Sequence, residues 1–283
     1  MEQNYTTALT IAGSDSSGGA GIQADLKTFA AFGCYGLSAL TALTAQNTCG
    51  VQGSIPVPPE FVGRQLDALL DDIDIHAIKI GMLQSSQTIT VIAERLSRLQ
   101  GVPIVLDTVL SSSGGTPLLN EQSIPILKNK LFPISTLITP NIPEATILCG
   151  RTQPLHTKED ILQAARQLLE LGPGAVLIKG GHMEGQTCED LLVTNGKEEW
   201  FPADRIVTPN THGTGCTLSS AITAGLARGN ALSAAVREAG AYLRKALRAG
   251  SSLSLGRGTG PVHHFWNWWV PLQEEQRGSR PIE

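Results

Sequence analysis

Short apolar runs alternate with longer amphipathic segments along almost the whole chain. The runs Thr7–Ala12 and Ala77–Ile80 predict buried strands, whereas the helical spacing of Ile22, Leu26 and Phe29 predicts a helix over Ala20–Phe32. The same criteria predict further strands at Leu37–Gln46, Pro103–Asp107, Leu137–Thr139 and Ala175–Lys179, and a hairpin of Leu191–Val193 with Glu198–Phe201. They predict further helices at Pro58–Leu70, along the stripe Ile89, Ile92, Leu96 and Leu99, and at Lys158–Leu171, Gly213–Arg228 and Leu232–Leu247. This alternation predicts a three-layer α/β/α fold, a mostly parallel sheet with helices on both faces.

The sequence predicts a single domain, because no linker or repeat interrupts this alternation of strands and helices. No Pro-, Gly- or Ser-rich linker divides the sequence, and no internal repeat is detectable. We therefore expect one domain over residues 1–270, followed by a polar C-terminal tail over residues 271–283.

Composition narrows the class of protein. Of the 283 residues, 41% are hydrophobic and 16% charged, which is typical of a soluble globular protein. The net charge of −4 gives no electrostatic footprint for nucleic acid. Five cysteines without a CxxC pair argue against a zinc cluster and a disulfide framework. No signal-peptide or membrane-spanning pattern is found, so we expect a cytoplasmic protein without membrane contact.

Chemically versatile segments follow several of the predicted strands. Ligands of open parallel sheets bind at the carboxyl ends of the strands. The segments concerned are Gly13–Gly21, Gln46–Asn47, Gly81–Met82, Asp107–Val109, Asn141–Glu144 and Lys179–His182. Their shared position predicts one active-site crevice.

The most specific segment is Asn210–Thr217, which leads directly into a predicted helix. Gly213 and Gly215 allow backbone amides to approach an anion closely, and the helix adds its positive N-terminal end. The segment thus predicts a cradle for a phosphoryl group. An ordinary helix cap with flexible glycines is the alternative.

A second glycine-rich turn, Ala12–Gly21, matches neither the Walker pattern nor a clean GxGxxG pattern. Its glycines favour close approach of the backbone to a ligand, although a plain connector remains the alternative. Asp25 and Gln46 lie near the same crevice, and a Gln amide complements the amino group and ring nitrogen of an aminopyrimidine. Either residue alone is more often a capping or solvated side chain.

Asn141 and Glu144 follow another strand, three residues apart at the start of a helix. They are suited to holding magnesium through water, and equally to forming a capping box. Lys179, beside two glycines at a strand end, is suited to the phosphates of ATP. A solvated lysine is the alternative.

Taken together in this order, these segments resemble the hydroxymethylpyrimidine and phosphomethylpyrimidine kinases of thiamin biosynthesis, in the ribokinase-like superfamily. The resemblance extends from about Thr7 to Trp269 and rests on the ordered set of segments. They are Ala12–Thr28, Ala45–Thr48, Lys79–Met82, Leu137–Glu144, Lys179–His182, Thr211–Cys216 and Gly260–Phe265. It implies a ribokinase-like fold and two successive ATP-dependent phosphorylations, from alcohol to monophosphate and then to diphosphate.

The resemblance also implies roles for individual residues. The pyrimidine pocket would be lined by Gly13, Asp25, Gln46, Met82 and Val109. ATP would face Asn141, Lys179 and the segment that contains Thr211, Thr214 and the glycines Gly213 and Gly215, while Glu144 and Asp107 would organise Mg²⁺. Because the family tends to dimerise, a homodimer is expected.

Cys216 stands where the superfamily usually has a catalytic aspartate, a substitution found in the pyrimidine and pyridoxal branches. A thiolate at a helix N-terminus can have a lowered pKa, so Cys216 could accept the proton of the substrate hydroxyl. The second step needs no base, because its attacking phosphate oxygen is already ionised. We therefore expect Cys216 to matter mainly for the first step.

Two other functions remain open at this stage. A pyridoxal kinase of the same superfamily shares the Gly-Thr-Gly-Cys feature, and a non-catalytic vitamin-binding relative would share the fold. The sequence also carries Thr108 and Leu110 where the family frequently has Pro and Met.

Overall fold

The computed structural model describes residues 4–111, 115, 117–182 and 185–269. Nine strands form one sheet in the order β3-β2-β1-β4-β5-β6-β7-β8-β9. In chain order they are β1 (Thr7–Asp15), β2 (Tyr35–Asn47), β3 (Gly50–Pro56), β4 (Ala77–Ile80), β5 (Ile104–Leu106), β6 (Leu137–Ile138), β7 (Ala175–Ile178), β8 (Thr187–Thr194) and β9 (Lys197–Asp204). Neighbouring strands from β2 to β7 are parallel, and β3, β8 and β9 are added antiparallel at the two ends.

Eight α-helices are found among the described residues. They are α1 (Gly21–Ala31), α2 (Pro59–Leu70), α3 (Ser86–Leu96), α4 (Ile124–Lys130), α5 (Ile142–Leu148), α6 (Lys158–Leu169), α7 (Thr214–Ala227) and α8 (Leu232–Gly250). Local sequence signals fix several of their starts, because side-chain acceptors satisfy the free N–H groups of a first turn. Ser85 caps α3 in this way, and Thr157 forms a capping box with Asp160 at the start of α6.

The helices cover both faces of the sheet because side chains alternate along each strand. In β4, Ala77 packs with Phe29 of α1 and Ala224 of α7, whereas Ile78 and Ile80 join the core on the opposite face. That opposite core also receives apolar side chains from α2, α3 and α6, and α8 covers the same face as α7. The predicted three-layer α/β/α fold is confirmed.

Strand β3 is the main element that the hydrophobic pattern misses. Gly50–Pro56 is exposed along almost its whole length, so its sequence lacks the alternation of a half-buried strand. It forms instead through pairing with β2, in which Gln46 lies opposite Val51. This pairing extends β2 beyond the sheet and places Gln46 on a two-stranded ribbon.

The prediction of one domain over residues 1–270 stays a prediction, and the tail over residues 271–283 lies outside the described residues. In the part of the chain that the structure describes, no helix has the length and apolarity needed to cross a membrane.

Candidate active site

A crevice forms where the carboxyl ends of the parallel strands meet the start of α7. Gly213 directly precedes α7 and has a φ of 79°, in the left-handed region that favours glycine. A side chain at Gly213 would overlap the carbonyl oxygen of Gly19, so the two glycine-rich segments are in close contact. Thr214 begins the helix, and its N–H donates to the carbonyl of the exposed Thr211 over 3.3 Å. The N-terminus of α7 therefore lies directly beside the first glycine-rich turn, in the position that the predicted phosphate cradle needs.

Lys179 and Asp107 lie beside this helix start. Lys179 Nζ is 2.8 Å from Asp107 Oδ1, and a Cβ on Gly215 would lie 3.3 Å from Lys179 Nζ. Burial by itself would raise the pKa of Asp107, but Lys179 and Lys79 outweigh it and hold that pKa below its ordinary value. Asp107 also accepts hydrogen bonds from Thr139 over 3.0 Å and Ser219 over 3.3 Å. A positive charge and an ionised carboxylate therefore face the amides of α7.

Asn141 and Glu144 form the predicted capping box at the start of α5. The N–H of Glu144 donates to Asn141 Oδ1 over 2.8 Å, and the N–H of Asn141 donates to Glu144 Oε2 over 2.9 Å. Thr108 adds a hydrogen bond to Glu144 Oε2 over 3.2 Å, which a proline at this position would lack. Burial raises the pKa of Glu144. Asn141 also forms a β-bridge with Lys179, so the cap lies beside the lysine.

Three of the residues expected around the pyrimidine, Gly13, Met82 and Gln46, lie on the side of β1 and β2. Gly13 occupies an irregularity in the pairing of β1 with β2, and a Cβ there would lie 3.2 Å from Met82 Sδ. Gln46 is partly exposed, and its Nε2 lies 3.4 Å from Nε2 of His212. Val109 is half-buried and follows Asp107 after β5. Because His212 directly precedes Gly213, Gln46 lies close to the segment that is predicted to hold a phosphoryl group.

Asp15 links the two sides and was not singled out from the sequence. It is 3% exposed, and its carboxylate accepts from Nε2 of His212 over 2.7 Å. The carboxylate also accepts from the N–H and hydroxyl of Ser17 and from the N–H groups of Gly19 and Ala20. Burial favours a higher pKa, but His212 and the other donors hold the pKa of Asp15 at about 2. The available signal was an Asp before Ser and Gly, which favours a turn closed by the side chain.

We expect Asp15→Asn to lower kcat/KM for the pyrimidine that the sequence resemblance implies about 10- to 100-fold, because hydrogen bonds to a charged group contribute roughly 1.5–3 kcal/mol. The amide keeps the shape of the carboxylate, but one of its two ends becomes a donor facing other donors. Steady-state kinetics at saturating ATP measures the effect.

Ser17→Ala is the matched control for this substitution. It removes one hydroxyl donor to Asp15 but keeps the carboxylate charge and the contact with His212, so kcat/KM should fall less than in Asp15→Asn. Equal losses in the two variants would contradict a special role for the Asp15–His212 contact.

Asp25 lies in a different position from the one expected. Its side chain is fully buried below the crevice, where it pairs with Lys79 at 2.9 Å. Its oxygens also accept from Thr10 and Ser220 at 2.6 Å each. Its carboxylate is thus committed to protein donors beneath the pocket. Lys79 was missed in the sequence, although a lysine within the apolar run of β4 was a visible signal.

Cys216 is half-buried in the first turn of α7, and the expected direction of its pKa is wrong. Burial raises the pKa of Cys216 to about 11, and the attraction of Lys79 opposes this only in part. The helix N-terminus alone had suggested a lowered pKa, because the sequence does not show how much solvent the fold removes from the thiol.

The chain is similar to known proteins along most of its length. Residues 15–263 match the family model described as phosphomethylpyrimidine kinase. The chain is 49% identical over 262 residues to the hydroxymethylpyrimidine/phosphomethylpyrimidine kinase of Escherichia coli K12, covering 93% of this chain and 98% of the relative. It is similar to the ADP complex of Bacillus subtilis pyridoxal kinase, with 37% identity and a TM-score of 0.85 over 92% of this chain and 98% of that one. It is also similar to phosphomethylpyrimidine kinase from Clostridium difficile 630, with 41% identity and a TM-score of 0.76 over 85% and 99%.

Proposed function

The chain belongs to the phosphomethylpyrimidine kinase family, and from this membership we propose that it phosphorylates 4-amino-5-hydroxymethyl-2-methylpyrimidine to the monophosphate and then to the diphosphate. It is accordingly a kinase of the thiamin pathway. The observation that carries the proposal is the 3.4 Å approach of Gln46 to His212, because it joins a side chain suited to an aminopyrimidine with the loop that begins α7.

The phosphate side of the proposal rests on α7 and Lys179. Phosphoryl transfer depends chiefly on positioning and on stabilising charge at the transferred group. The amides behind Gly213 and Gly215 would bind oxygens of the γ-phosphoryl group, and Lys179 would balance their negative charge. Asn141, beside Lys179, would face the nucleotide. The similar B. subtilis pyridoxal kinase forms a complex with ADP, which supports a nucleotide site in this fold.

On the pyrimidine side, Gln46 would hydrogen bond to the amino group and the neighbouring ring nitrogen. Gly13 leaves room for the ring beside Met82, and Val109 adds an apolar contact. Asp25 would support this pocket from beneath instead of contacting the ring. The ring would then present its hydroxymethyl group towards Cys216.

In the first step, the hydroxyl oxygen forms a bond to the γ-phosphorus while the bond from that phosphorus to the bridging oxygen of ATP breaks. The hydroxyl proton moves to the sulfur of Cys216, which reacts as the thiolate, and ADP leaves. In the second step, an oxygen of the monophosphate attacks a second ATP, and no proton needs to be removed.

Magnesium is expected beside Asp107 and Glu144. Mg²⁺ in phosphoryl-transfer sites commonly binds one or two carboxylates, substrate phosphates and water. The two carboxylates fit that donor set, since both lie near Lys179 and the start of α7. When bound, the ion would neutralise charge on the phosphate oxygens. A cytoplasmic homodimer without nucleic-acid or membrane partners belongs to the same proposal.

The test is product analysis by mass after incubation with the pyrimidine alcohol, ATP and magnesium. We expect the monophosphate to appear first and the diphosphate to follow. Accumulation of the monophosphate alone would contradict the second step. A chain that transfers no phosphoryl group under these conditions would instead be a non-catalytic relative.

A pyridoxal kinase is the second candidate, because the similar B. subtilis protein is named as one. ATP consumption with each alcohol in turn separates the two functions. We expect the higher kcat/KM with the pyrimidine, since Gln46 offers both a donor and an acceptor. A clear preference for pyridoxal would overturn the assignment of substrate.

A further inference from the structure

The buried ion pair of Lys79 and Asp25 is not explained by the roles described so far. Both side chains are fully buried, and Lys79 Nζ lies 2.9 Å from Asp25 Oδ2. Lys79 follows the alternation of β4, so it shares a face with Ala77 and points towards α1 and α7. The pair therefore lies between the sheet and the two helices that border the crevice.

Ser220 ties this pair to α7 directly below Cys216. Its hydroxyl donates to Asp25 Oδ1 over 2.6 Å. Residues four apart on an α-helix lie on the same face, about one turn or 5.4 Å along the axis. The ion pair is consequently held about one helical turn beneath the thiol.

Stability alone does not account for this arrangement. Replacing a buried ion pair by apolar side chains of similar volume is often neutral or stabilising. Within the part of the chain that the structure describes, Asp25 is the only hydrogen-bonding partner of the Lys79 ammonium group. The positive charge is therefore held in place by one carboxylate.

The electrostatic balance favours a permanent charge on Lys79. Burial would lower the pKa of Lys79, but Asp25, with smaller contributions from Cys216 and Asp107, outweighs it and raises that pKa above its ordinary value. For the thiol of Cys216, Lys79 is in turn the largest influence that lowers its pKa.

We propose that Lys79 is a positioning residue for the first phosphorylation: its ammonium group, held by Asp25, stabilises the thiolate form of Cys216 that accepts the substrate proton. The inference rests on the proposed role of Cys216. The charged groups that face the thiol are Lys79 from β4, Asp25 from α1, Asp107 after β5 and Lys179 after β7. Of these, Lys79 is the lysine that Asp25 and Ser220 connect to α7.

The test is the pH dependence of Cys216 alkylation by iodoacetamide, followed by mass spectrometry of its peptide, in the full chain without substrate. Lys79→Met removes the charge, and the double variant Asp25→Asn with Lys79→Met removes both charges so that neither is left buried alone. We expect the midpoint of Cys216 alkylation to rise by about one pH unit or more in Lys79→Met, a tenfold loss of thiolate at a given pH. The rise should be smaller in the double variant, because Asp25 itself raises the pKa of Cys216 and is removed as well. Alkylation of the exposed Cys49 in the same sample is the internal control.

Kinetics separates this role from a purely structural one. At pH 8 Lys79→Met should lose about tenfold in the first phosphorylation and much less in the second, since only the first uses the thiolate. Thr10→Val is the matched structural control, because it removes a hydrogen bond to Asp25 but keeps both charges. It should lower thermal stability without moving the alkylation midpoint.

A folded Lys79→Met variant with the wild-type alkylation midpoint would overturn the proposal. If Lys79→Met does not fold, Lys79→Gln, which removes the charge but keeps an N–H donor for Asp25, decides the question. A midpoint that moves equally in Thr10→Val would assign the effect to loosened packing. Failure of the proposed role of Cys216 as the base has a different signature. In that case Cys216→Ala would retain the first phosphorylation, whatever Lys79 does to alkylation.

Discussion

Lys179→Met is expected to lower kcat of both phosphorylations about 10²–10³-fold, the usual loss when one group that stabilises transition-state charge is removed. Lys179 lies beside Gly215 and the amides of α7, so its charge would act on the transferred phosphoryl group in either step. Single-turnover measurements on the alcohol and on the monophosphate report the two losses separately.

The same substitution should also destabilise the fold. Asp107 is 2% exposed, and without Lys179 its carboxylate would lose its closest positive partner. Breaking a buried ion pair in this way costs about 3–5 kcal/mol. Thermal unfolding must therefore accompany the kinetics, so that the rate is referred to folded protein.

Lys158→Met provides the matched control. Lys158 is 60% exposed and pairs with Glu189 on the surface, where such a pair contributes about 0–1 kcal/mol. We expect wild-type rates in this variant. Retention of more than a tenth of the activity in folded Lys179→Met would argue against a role for Lys179 at the phosphates.

Cys216→Ala should slow the first phosphorylation much more than the second. Loss of a general base typically costs 10²–10⁴-fold, so phosphorylation of the alcohol should fall by that amount. Phosphorylation of the monophosphate should fall by less than about tenfold, because its attacking oxygen is already ionised. Separate assays with alcohol and monophosphate measure the ratio, and Cys149→Ala, at the far end of α5, is the control. Equal losses in both steps would refute the division.

The raised pKa of Cys216 also predicts how the rate of each phosphorylation depends on pH. With a pKa of about 11, the thiolate fraction increases as the pH rises towards that value. In the range of pH 7–9, each pH unit multiplies the thiolate about tenfold. The rate of the first step should therefore rise with pH in the wild type and lose that rise in Cys216→Ala, while the second step should lack it in both.

Most of the fold was predictable from the sequence because its layers are encoded locally. Alternating short apolar runs and amphipathic helices placed Ala77–Ile80 within the bounds of β4, and predicted the hairpin now seen as β8 and β9. The exposed β3 lacked any such pattern, since it depends on pairing with β2.

The sequence predicted those parts of the candidate site that lie at the carboxyl ends of the strands. Asn141, Asp107 and Lys179 come together because the parallel strands end at one edge of the sheet. The sequence could not reveal how deeply each of these side chains is buried. It placed Asp25 at the pocket surface, and it suggested a lowered pKa for Cys216, because burial and long-range partners such as Lys79 depend on the packing of α1, β4 and α7.

The contact between Gly19 and Gly213 has a consequence for any attempt to change what this enzyme accepts. A side chain at Gly213 would collide with the backbone of the first glycine-rich turn, and one at Gly19 would collide with the ring of His212. The two segments, far apart in sequence, are therefore packed so closely that a side chain added to one would displace the other. Libraries that vary only one of them to admit a larger heterocycle would shift the phosphate amides as well, so selection for new acceptors should randomise both segments together.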